Sequence, residues 1–252
     1  MMAFEGKIIL ITGASRGIGA ATALLAASRG YHVCVNYVKN EVAANAIVKK
    51  IEDIGGKAFA YQADVGDEAQ VKEMFRQIDI KLGPVTALVN NAGTLELQSR
   101  VEGISNERFL RTLKNNILGT FLCSKEAIAR MSTRNGGNGG NIVNVSSIGA
   151  KTGSPGEYVD YASSKGAIDS FTVGLSKEVA PEGIRVNAVR PGFIYTDIHE
   201  SGGEAGRIDR IKSTIPMLRG GNPEEVASAI LWLLSDEASY TTGTFIDIAG
   251  GR

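Results

Sequence analysis

The stretch Lys7-Ile8-Ile9-Leu10-Ile11-Thr12-Gly13-Ala14-Ser15-Arg16-Gly17-Ile18-Gly19 decides the fold. Its first half, Lys7–Thr12, is an apolar, β-branched run of strand length, and Ile18–Arg29 beyond it carries helical periodicity. Gly13, Gly17 and Gly19 punctuate the turn between them. Glycines there let the backbone turn sharply and approach a pyrophosphate, which the unpaired amides of a helix start then hold. A tight turn without a ligand is the plainer alternative; the strand before and the helix after are the context that favours a phosphate cradle. Three residues separate Gly13 from Gly17, so the spacing is not the familiar G-x-G-x-x-G.

Outward from this turn the same alternation repeats. Strand-like runs fall at Lys7–Thr12, His32–Tyr37, Ala58–Gln62, Ala87–Asn90, Asn141–Val145, Arg185–Val189 and Phe245–Asp247. Between them Ile18–Arg29, Val42–Ile54, Glu68–Lys81, Asn106–Met131, Tyr158–Val179 and Pro223–Leu234 read as helices. Repeated β-α units predict an α/β architecture: a three-layer, doubly wound (Rossmann-type) fold with a seven-stranded parallel sheet, in one domain spanning 1–252. Two segments interrupt the rhythm. Asn135–Asn141 is a Gly/Asn-rich turn, and Tyr195–Ser213 holds Ser201-Gly202-Gly203 and Gly206 just after a strand's carboxyl end, where ligands bind in open sheets. The second is either a mobile substrate lid, 195–213, or an ordinary surface insertion.

Composition excludes several function classes. Lys plus Arg (27) cancels Asp plus Glu (27), so no excess positive field would gather nucleic acid or an anionic membrane surface. The start, MMAFEGKIILITGASRG, lacks a basic region followed by a long apolar stretch, and a cytoplasmic protein is expected. Cys34 and Cys123 lie far apart in apolar contexts, as free buried thiols do, and His32 and His199 are isolated. With no cluster at ligand spacing, no catalytic metal is expected.

Cofactor choice is read at the end of the second strand, where an acid about twenty residues past the glycines would bind an adenosine ribose 2′-hydroxyl and repel a 2′-phosphate. Here the chain reads Val35-Asn36-Tyr37-Val38-Lys39-Asn40, with no acid before Glu41. Arg16 inside the glycine loop, Asn36 and Lys39 offer charge or hydrogen bonds instead, so NADP(H) is favoured over NAD(H). Catalysis is read in Tyr161-Ala162-Ser163-Ser164-Lys165: residues four apart share a helix face, so phenol and ammonium enter one pocket. A free tyrosine has a pKa of about 10, and a fixed cation favours its ionised form. Tyr158 fails this test because Ala162 stands four residues on. The strand Asn141–Val145 ends in Ser146-Ser147, either of which can donate to a substrate carbonyl. Asn90-Asn91-Ala92-Gly93 is a turn that would line a cofactor ribose.

Together these residues resemble the short-chain dehydrogenase/reductase family, especially compact members similar to β-ketoacyl-carrier-protein reductases and bacterial glucose dehydrogenases. The resemblance spans the whole chain. It rests on Thr12–Gly19, Asp64-Val65, Asn90–Gly93, Asn116-Ile117-Leu118-Gly119, the Ser-Tyr-Lys set and Pro191-Gly192. It implies Ser147 as the carbonyl-polarising residue, Tyr161 as acid and base, Lys165 as ribose ligand and pKa modifier, and Asn116 as anchor of a proton-relay water. It also implies cofactor contacts from the turn residues Gly13, Ser15, Arg16, Gly17, Ile18 and Gly19 and from Asn36 and Tyr37. Asp64 and Val65 would lie at the adenine, Asn91, Ala92 and Gly93 at the ribose, Pro191, Gly192 and Ile194 at the nicotinamide amide, and Thr196 near the phosphates. A homotetramer is implied, built from the long helices and the carboxyl-terminal segment. The segment from Ser147 to Tyr161 is one residue longer than the family's commonest form, which bears on the choice between Ser146 and Ser147; the following Ile117-Leu118-Gly119 selects Asn116 over Asn115.

The function this implies is hydride transfer between NADP(H) and a small carbonyl or secondary alcohol. Thr94–Arg100, Gly149–Tyr158 and the lid would meet the substrate. A dinucleotide-binding regulator or scaffold without turnover is the alternative, and it predicts decay of catalytic residues that are all present. A sugar-nucleotide epimerase or dehydratase would carry a larger carboxyl-terminal substrate domain.

Overall fold

The glycine-bearing turn joins the first strand of a central sheet to the first helix of the layer that covers it. The structure, a computed structural model, describes residues 6–252; the first five residues of the expected domain lie outside the described residues. The strands are β1 (Lys7–Ile11), β2 (Tyr31–Tyr37), β3 (Ala58–Gln62), β4 (Ala87–Asn90), β5 (Gly140–Val145), β6 (Ile184–Pro191) and β7 (Phe245–Ile248). The helices are α1 (Gly17–Ser28), α2 (Glu41–Asp53), α3 (Glu68–Lys81), α4 (Asn106–Leu113), α5 (Gly119–Met131), α6 (Gly149–Thr152), α7 (Val159–Val179), α8 (Ile198–Ser201), α9 (Arg207–Ile211) and α10 (Pro223–Leu234).

All seven strands pair in parallel in the order β3-β2-β1-β4-β5-β6-β7. Successive residues of a strand point to opposite faces, and here both faces are covered. Ile9, Ile11, Val33 and Val35 belong to a core closed by α1, α2 and α10, while Ile8, Leu10, Cys34, Leu88 and Ile142 belong to one closed by α3, α5 and α7. Double burial is why β1 reads as a continuous apolar run and not as an alternation. From β1 the chain builds outward through β2 and β3, then returns to β4 on the other side of β1 and builds away through β7. That reversal opens a crevice at the carboxyl ends of β1 and β4.

The doubly wound, seven-stranded architecture is the expected one, and the strand ends shift by two residues at most. Larger differences lie in the helices. Asn106–Met131 is not continuous: a π turn at Lys114–Leu118 divides α4 from α5. The Asn116 carboxamide inside it donates to the Thr94 carbonyl (3.2 Å) and Ser164 Oγ (2.9 Å), so the turn is pinned from outside the helix. π turns of this kind recur at functional sites. Segment 195–213, read as a mobile lid or a surface insertion, contains α8 and α9.

Candidate active site

The cradle begins with two left-handed glycines, Gly13 (φ +62°) and Gly17 (φ +55°), a region that side chains with a Cβ resist. Gly19 is required for a different reason: a Cβ there would lie 2.6 Å from both Asn91 Nδ2 and the Gly13 carbonyl. Helix α1 starts at Gly17 without a side-chain cap and without an acid in its first turn. Its leading amides and positive dipole end are left to an anion. Thr196 lies against the same turn, its Cγ2 3.2 Å from where a Cβ on Gly17 would stand. From the β4 side, Thr12 Oγ1 accepts from the Asn91 and Ala92 amides (3.0 and 2.9 Å), and Asn91 Nδ2 donates to the Thr12 and Gly13 carbonyls (2.8 and 3.1 Å). The cradle therefore fits a dinucleotide pyrophosphate by shape, dipole and absence of side chains.

On the adenosine side the structure corrects one expectation. Asn36 is fully buried beneath the turn: its Oδ1 accepts from the Gly13 amide (3.1 Å) and its Nδ2 donates to the Ala63 carbonyl (3.0 Å), with longer approaches to Tyr37 and Tyr61. The backbone engages the whole carboxamide, so Asn36 supports the cradle from below and offers no atom to a 2′-phosphate. Tyr37 is also buried. Arg16 and Lys39 are exposed, and Arg16 reaches Asp197 at 3.7 Å. Asp64 accepts from the Gly66 amide (2.9 Å) and approaches Lys114 at 3.5 Å, whereas the Val65 side chain packs in the core. Ser15 and Ile18 are half-buried on the turn. Gly192 leads from β6, its amide donating to the Ile248 carbonyl (2.9 Å), and Pro191 accepts from the Ile148 amide (3.0 Å). The buried Ile194 bridges to Gly221.

Four candidate catalytic residues meet around the end of β5. The Ser147 hydroxyl lies close enough to the Tyr161 phenol to draw its pKa down. Ser147 Oγ also accepts from the Gly149 amide (3.0 Å). Ser146 points the other way, donating to Asp169 Oδ1 (2.6 Å) and the Lys165 carbonyl (3.2 Å), so geometry separates the two serines. Lys165 is buried, with Nζ donating to the Val145 carbonyl (2.7 Å) and standing 5.5 Å from the Tyr161 ring centre. A Cβ on Gly93 would come 3.5 Å from that Nζ and 3.4 Å from Asn116 Oδ1, which places the β4 turn at the same site. Asn116 is buried and accepts from the Thr94 amide (2.8 Å); Asn115 is half-buried and reaches only the Thr94 hydroxyl (3.3 Å).

Burial pushes the Tyr161 phenol up to about 12, while the Ser147 hydroxyl pulls it down. The expected lowering by Lys165 is not found: burial drives the Lys165 ammonium down to about 8, and the nearby Asp169 carboxylate opposes that.

Several supporting groups escaped the sequence. Arg108 clamps Asp160 in a two-pronged pair (2.8 and 3.2 Å), fixing the first turn of α7 beside Tyr161. A buried row, Ser124, Asn90, Asn144 and Thr172, crosses the sheet below the site at 2.9–3.0 Å steps. Thr12 belongs to the cradle, although only its glycines suggested a role. Asparagines inside strands look like turn signals, so pairing across β4 and β5 was the missing information.

The expected substrate segments touch one another. Tyr158 OH donates to the Gly202 carbonyl (3.0 Å), Gln98 Nε2 to Glu204 (2.7 Å) and the Ser99 amide to the Glu157 carbonyl (2.9 Å). Arg207, buried, pairs with Glu157 and Glu204 and lies 4.9 Å over the Tyr158 ring. Glu157 and Arg207 hold each other, so segment 195–213 is seated on the start of α7. Buried His199 stacks on Phe193 at 6.3 Å.

Among the described residues no helix is long and apolar enough to cross a membrane, and no three His, Cys, Asp or Glu side chains group to hold a metal. Residues 13–252 match the enoyl-(acyl carrier protein) reductase family model. The chain is 62% identical to the uncharacterized oxidoreductase YgfF of Escherichia coli (strain K12), covering 97% of this chain and 99% of that protein. It is 40% identical to the 3-oxoacyl-[acyl-carrier-protein] reductase FabG of Thermotoga maritima, covering 99% of each. A Mycobacterium marinum short-chain type dehydrogenase/reductase superposes with TM-score 0.92 at 35% identity, over 98% of this chain and 96% of that one. With its glycine cradle, its parallel sheet and its Ser147, Tyr161 and Lys165 grouped at one crevice, the chain is an oxidoreductase belonging to the short-chain dehydrogenase/reductase family.

Proposed function

We propose that this protein is an NADP(H)-dependent oxidoreductase that interconverts a small carbonyl compound and its secondary alcohol. The observation that carries this reading is the grouping of Ser147, Tyr161 and the buried Lys165 at the end of β5, beside the crevice the cradle lines. When bound, the nicotinamide supplies or accepts the hydride. In reduction, the Ser147 hydroxyl donates to the substrate oxygen and Tyr161 delivers its proton there; in oxidation Tyr161 removes it. Lys165 holds the ribose and places positive charge near that oxygen. The Asn116 carboxamide is committed to Thr94 and Ser164, so its main-chain carbonyl, held by the Thr120 hydroxyl at 2.9 Å, is the atom we assign to a relay water. The half-exposed apolar strip of Leu110, Ile117, Leu118, Phe121 and Phe171 fits the homotetramer expected of the family.

Loss of NADPH absorbance against a panel of ketones and 3-oxoacyl esters tests the reaction class; no turnover with any of them, in protein that binds NADPH, overturns it. The missing acid after β2 and the exposed Arg16 and Lys39 support the NADP assignment. Arg16→Ala is expected to weaken NADPH binding about tenfold and NADH binding little, because a charge-assisted phosphate contact at an exposed site contributes on that order. Fluorescence titration reads both, and tighter wild-type binding of NADH refutes the preference.

The seated lid gives a further expectation. Arg207→Met keeps a long apolar stem but takes the guanidinium from Glu157, leaving Glu204 on Gln98 and Arg210, so the lid loosens from the start of α7. KM for the ketone should rise about tenfold with NADPH affinity unchanged, the signature of lost uniform substrate binding. An unaltered KM would show that other contacts hold the lid.

A further inference from the structure

Behind the Ser147, Tyr161 and Lys165 group runs a chain of polar contacts that none of the roles above uses. Asp169 stands one turn beyond Lys165 on α7, on the same helix face. Its Oδ1 accepts from Ser146 Oγ at 2.6 Å, and its Oδ2 from Arg190 Nε at 2.9 Å and the neighbouring guanidinium nitrogen at 2.8 Å. Arg190, near the end of β6, packs 3.9 Å over the Phe245 ring of β7 and reaches Asp247 at 3.6 Å. Asp247 in turn receives Lys151 of α6 at 2.9 Å. Both members of the Asp169–Arg190 pair are largely withdrawn from solvent, with side-chain exposures of 15% and 17%. Losing one member of a pair so placed is costly, because the other charge is left withdrawn from solvent without its partner.

We propose that Asp169, gripped by Ser146 and Arg190, is a positioning residue for the reaction: its carboxylate supplies a negative charge one helical turn from the buried Lys165 and fixes the β5 terminus that carries Ser147. This rests on the oxidoreductase reading for its consequence, but its physical content is separate from it. Ser146 is the link on the strand side, because it touches both Asp169 and the Lys165 carbonyl while its neighbour Ser147 lies close to the Tyr161 phenol. The groups around Lys165 are Asp169 and Tyr161 on its own helix, the Val145 carbonyl on β5, Gly93 after β4 and Asn116 in the π turn. The Asp169 carboxylate raises the Lys165 ammonium against the lowering that burial imposes, and Arg190 binds that same carboxylate.

Two substitutions therefore have opposite signs. Asp169→Asn keeps an oxygen for Ser146 but removes the negative charge, so Lys165 loses its proton at lower pH. Arg190→Met leaves the carboxylate uncompensated, so Lys165 holds its proton to higher pH. The readout is a pH titration of the protein carrying ¹³C-labelled lysine, without dinucleotide, with the Lys165 signal assigned by Lys165→Met. The expected shift is about one pH unit downward for Asp169→Asn and a shift upward for Arg190→Met. A merely structural pair would move both variants together or neither, and either result overturns the proposal. Asp169→Glu, which retains the charge, is expected to restore the wild-type midpoint and guards against a folding defect in the asparagine variant. Should the midpoints move as expected while no ketone is reduced, the electrostatic role stands and the oxidoreductase reading falls.

Discussion

Tyr161→Phe is expected to lower kcat for ketone reduction by about a thousandfold, in the middle of the range that positioned general acids contribute. Phenylalanine keeps the ring against Lys165 and the packing of α7, so NADPH binding should stay within about threefold, since no charged contact is lost. The activity that remains comes from Ser147, whose hydroxyl still donates to the substrate oxygen, and from the geometry of the bound pair. Steady-state absorbance gives kcat, and fluorescence titration gives the dissociation constant in the same preparation. Unchanged turnover in the variant would remove Tyr161 from the mechanism. The pH profile supplies a second check with a definite sign. Because burial lifts the phenol to about 12, Tyr161 is protonated across the neutral range. Reduction, which consumes that proton, should be level through neutrality and fall only on the alkaline side. Alcohol oxidation requires the phenolate and should climb as pH rises. Ser147→Ala removes the interaction that pulls the phenol down, so its oxidation limb should move to higher pH.

How far the sequence reaches is clear from particular residues. Strand β1 and the glycines after it were legible because double burial writes a continuous apolar run, and because left-handed turns admit few residues besides glycine. Tyr161 and Lys165 were legible because a helix converts a four-residue spacing into a shared face. Ser146 and Ser147 were not separable in this way. Both hydroxyls follow β5, and only the positions of Asp169 and Tyr161 in space decide which one meets which. The break at Lys114–Leu118 was hidden because it is one turn within a long helical pattern; what pins it is the distant Thr94 and Ser164. Asp169 and Arg190 lie 21 residues apart on different elements, and no spacing in the sequence joins them. The electrostatic sign of the site failed for a related reason. Proximity of a lysine to a tyrosine suggests a lowered phenol, but desolvation of both groups outweighs that attraction in the folded chain.

Asn36 gives the sharpest test of the line between a ligand contact and a support. Its carboxamide is fully buried and bonded to the Gly13 amide and the Ala63 carbonyl, so Asn36→Ala leaves both without their partner. Losing these bonds and the side-chain volume is expected to cost about 3 kcal/mol of stability, since an orphaned buried group forfeits its desolvation as well as its bond. For a domain of this size that is a fall in Tm of about 6–10 °C. Because Asn36 holds the cradle and not the 2′-phosphate, NADPH and NADH affinities should fall by similar factors. A phosphate contact would instead lower NADPH affinity alone and leave Tm where it was, and that outcome would restore Asn36 to the adenosine site. Asn36→Asp sharpens the same point. A carboxylate can still accept from Gly13 but cannot donate to Ala63, and a buried acid among carbonyls resists ionisation. Its folded-state pKa then lies above the unfolded value, so the unfolded chain releases the proton first as pH rises. Stability relative to wild type should therefore be best at acid pH and should decline through neutrality. Thermal melts at pH 5 and pH 8 read that difference directly, and a variant equally stable at both would show that position 36 has access to solvent.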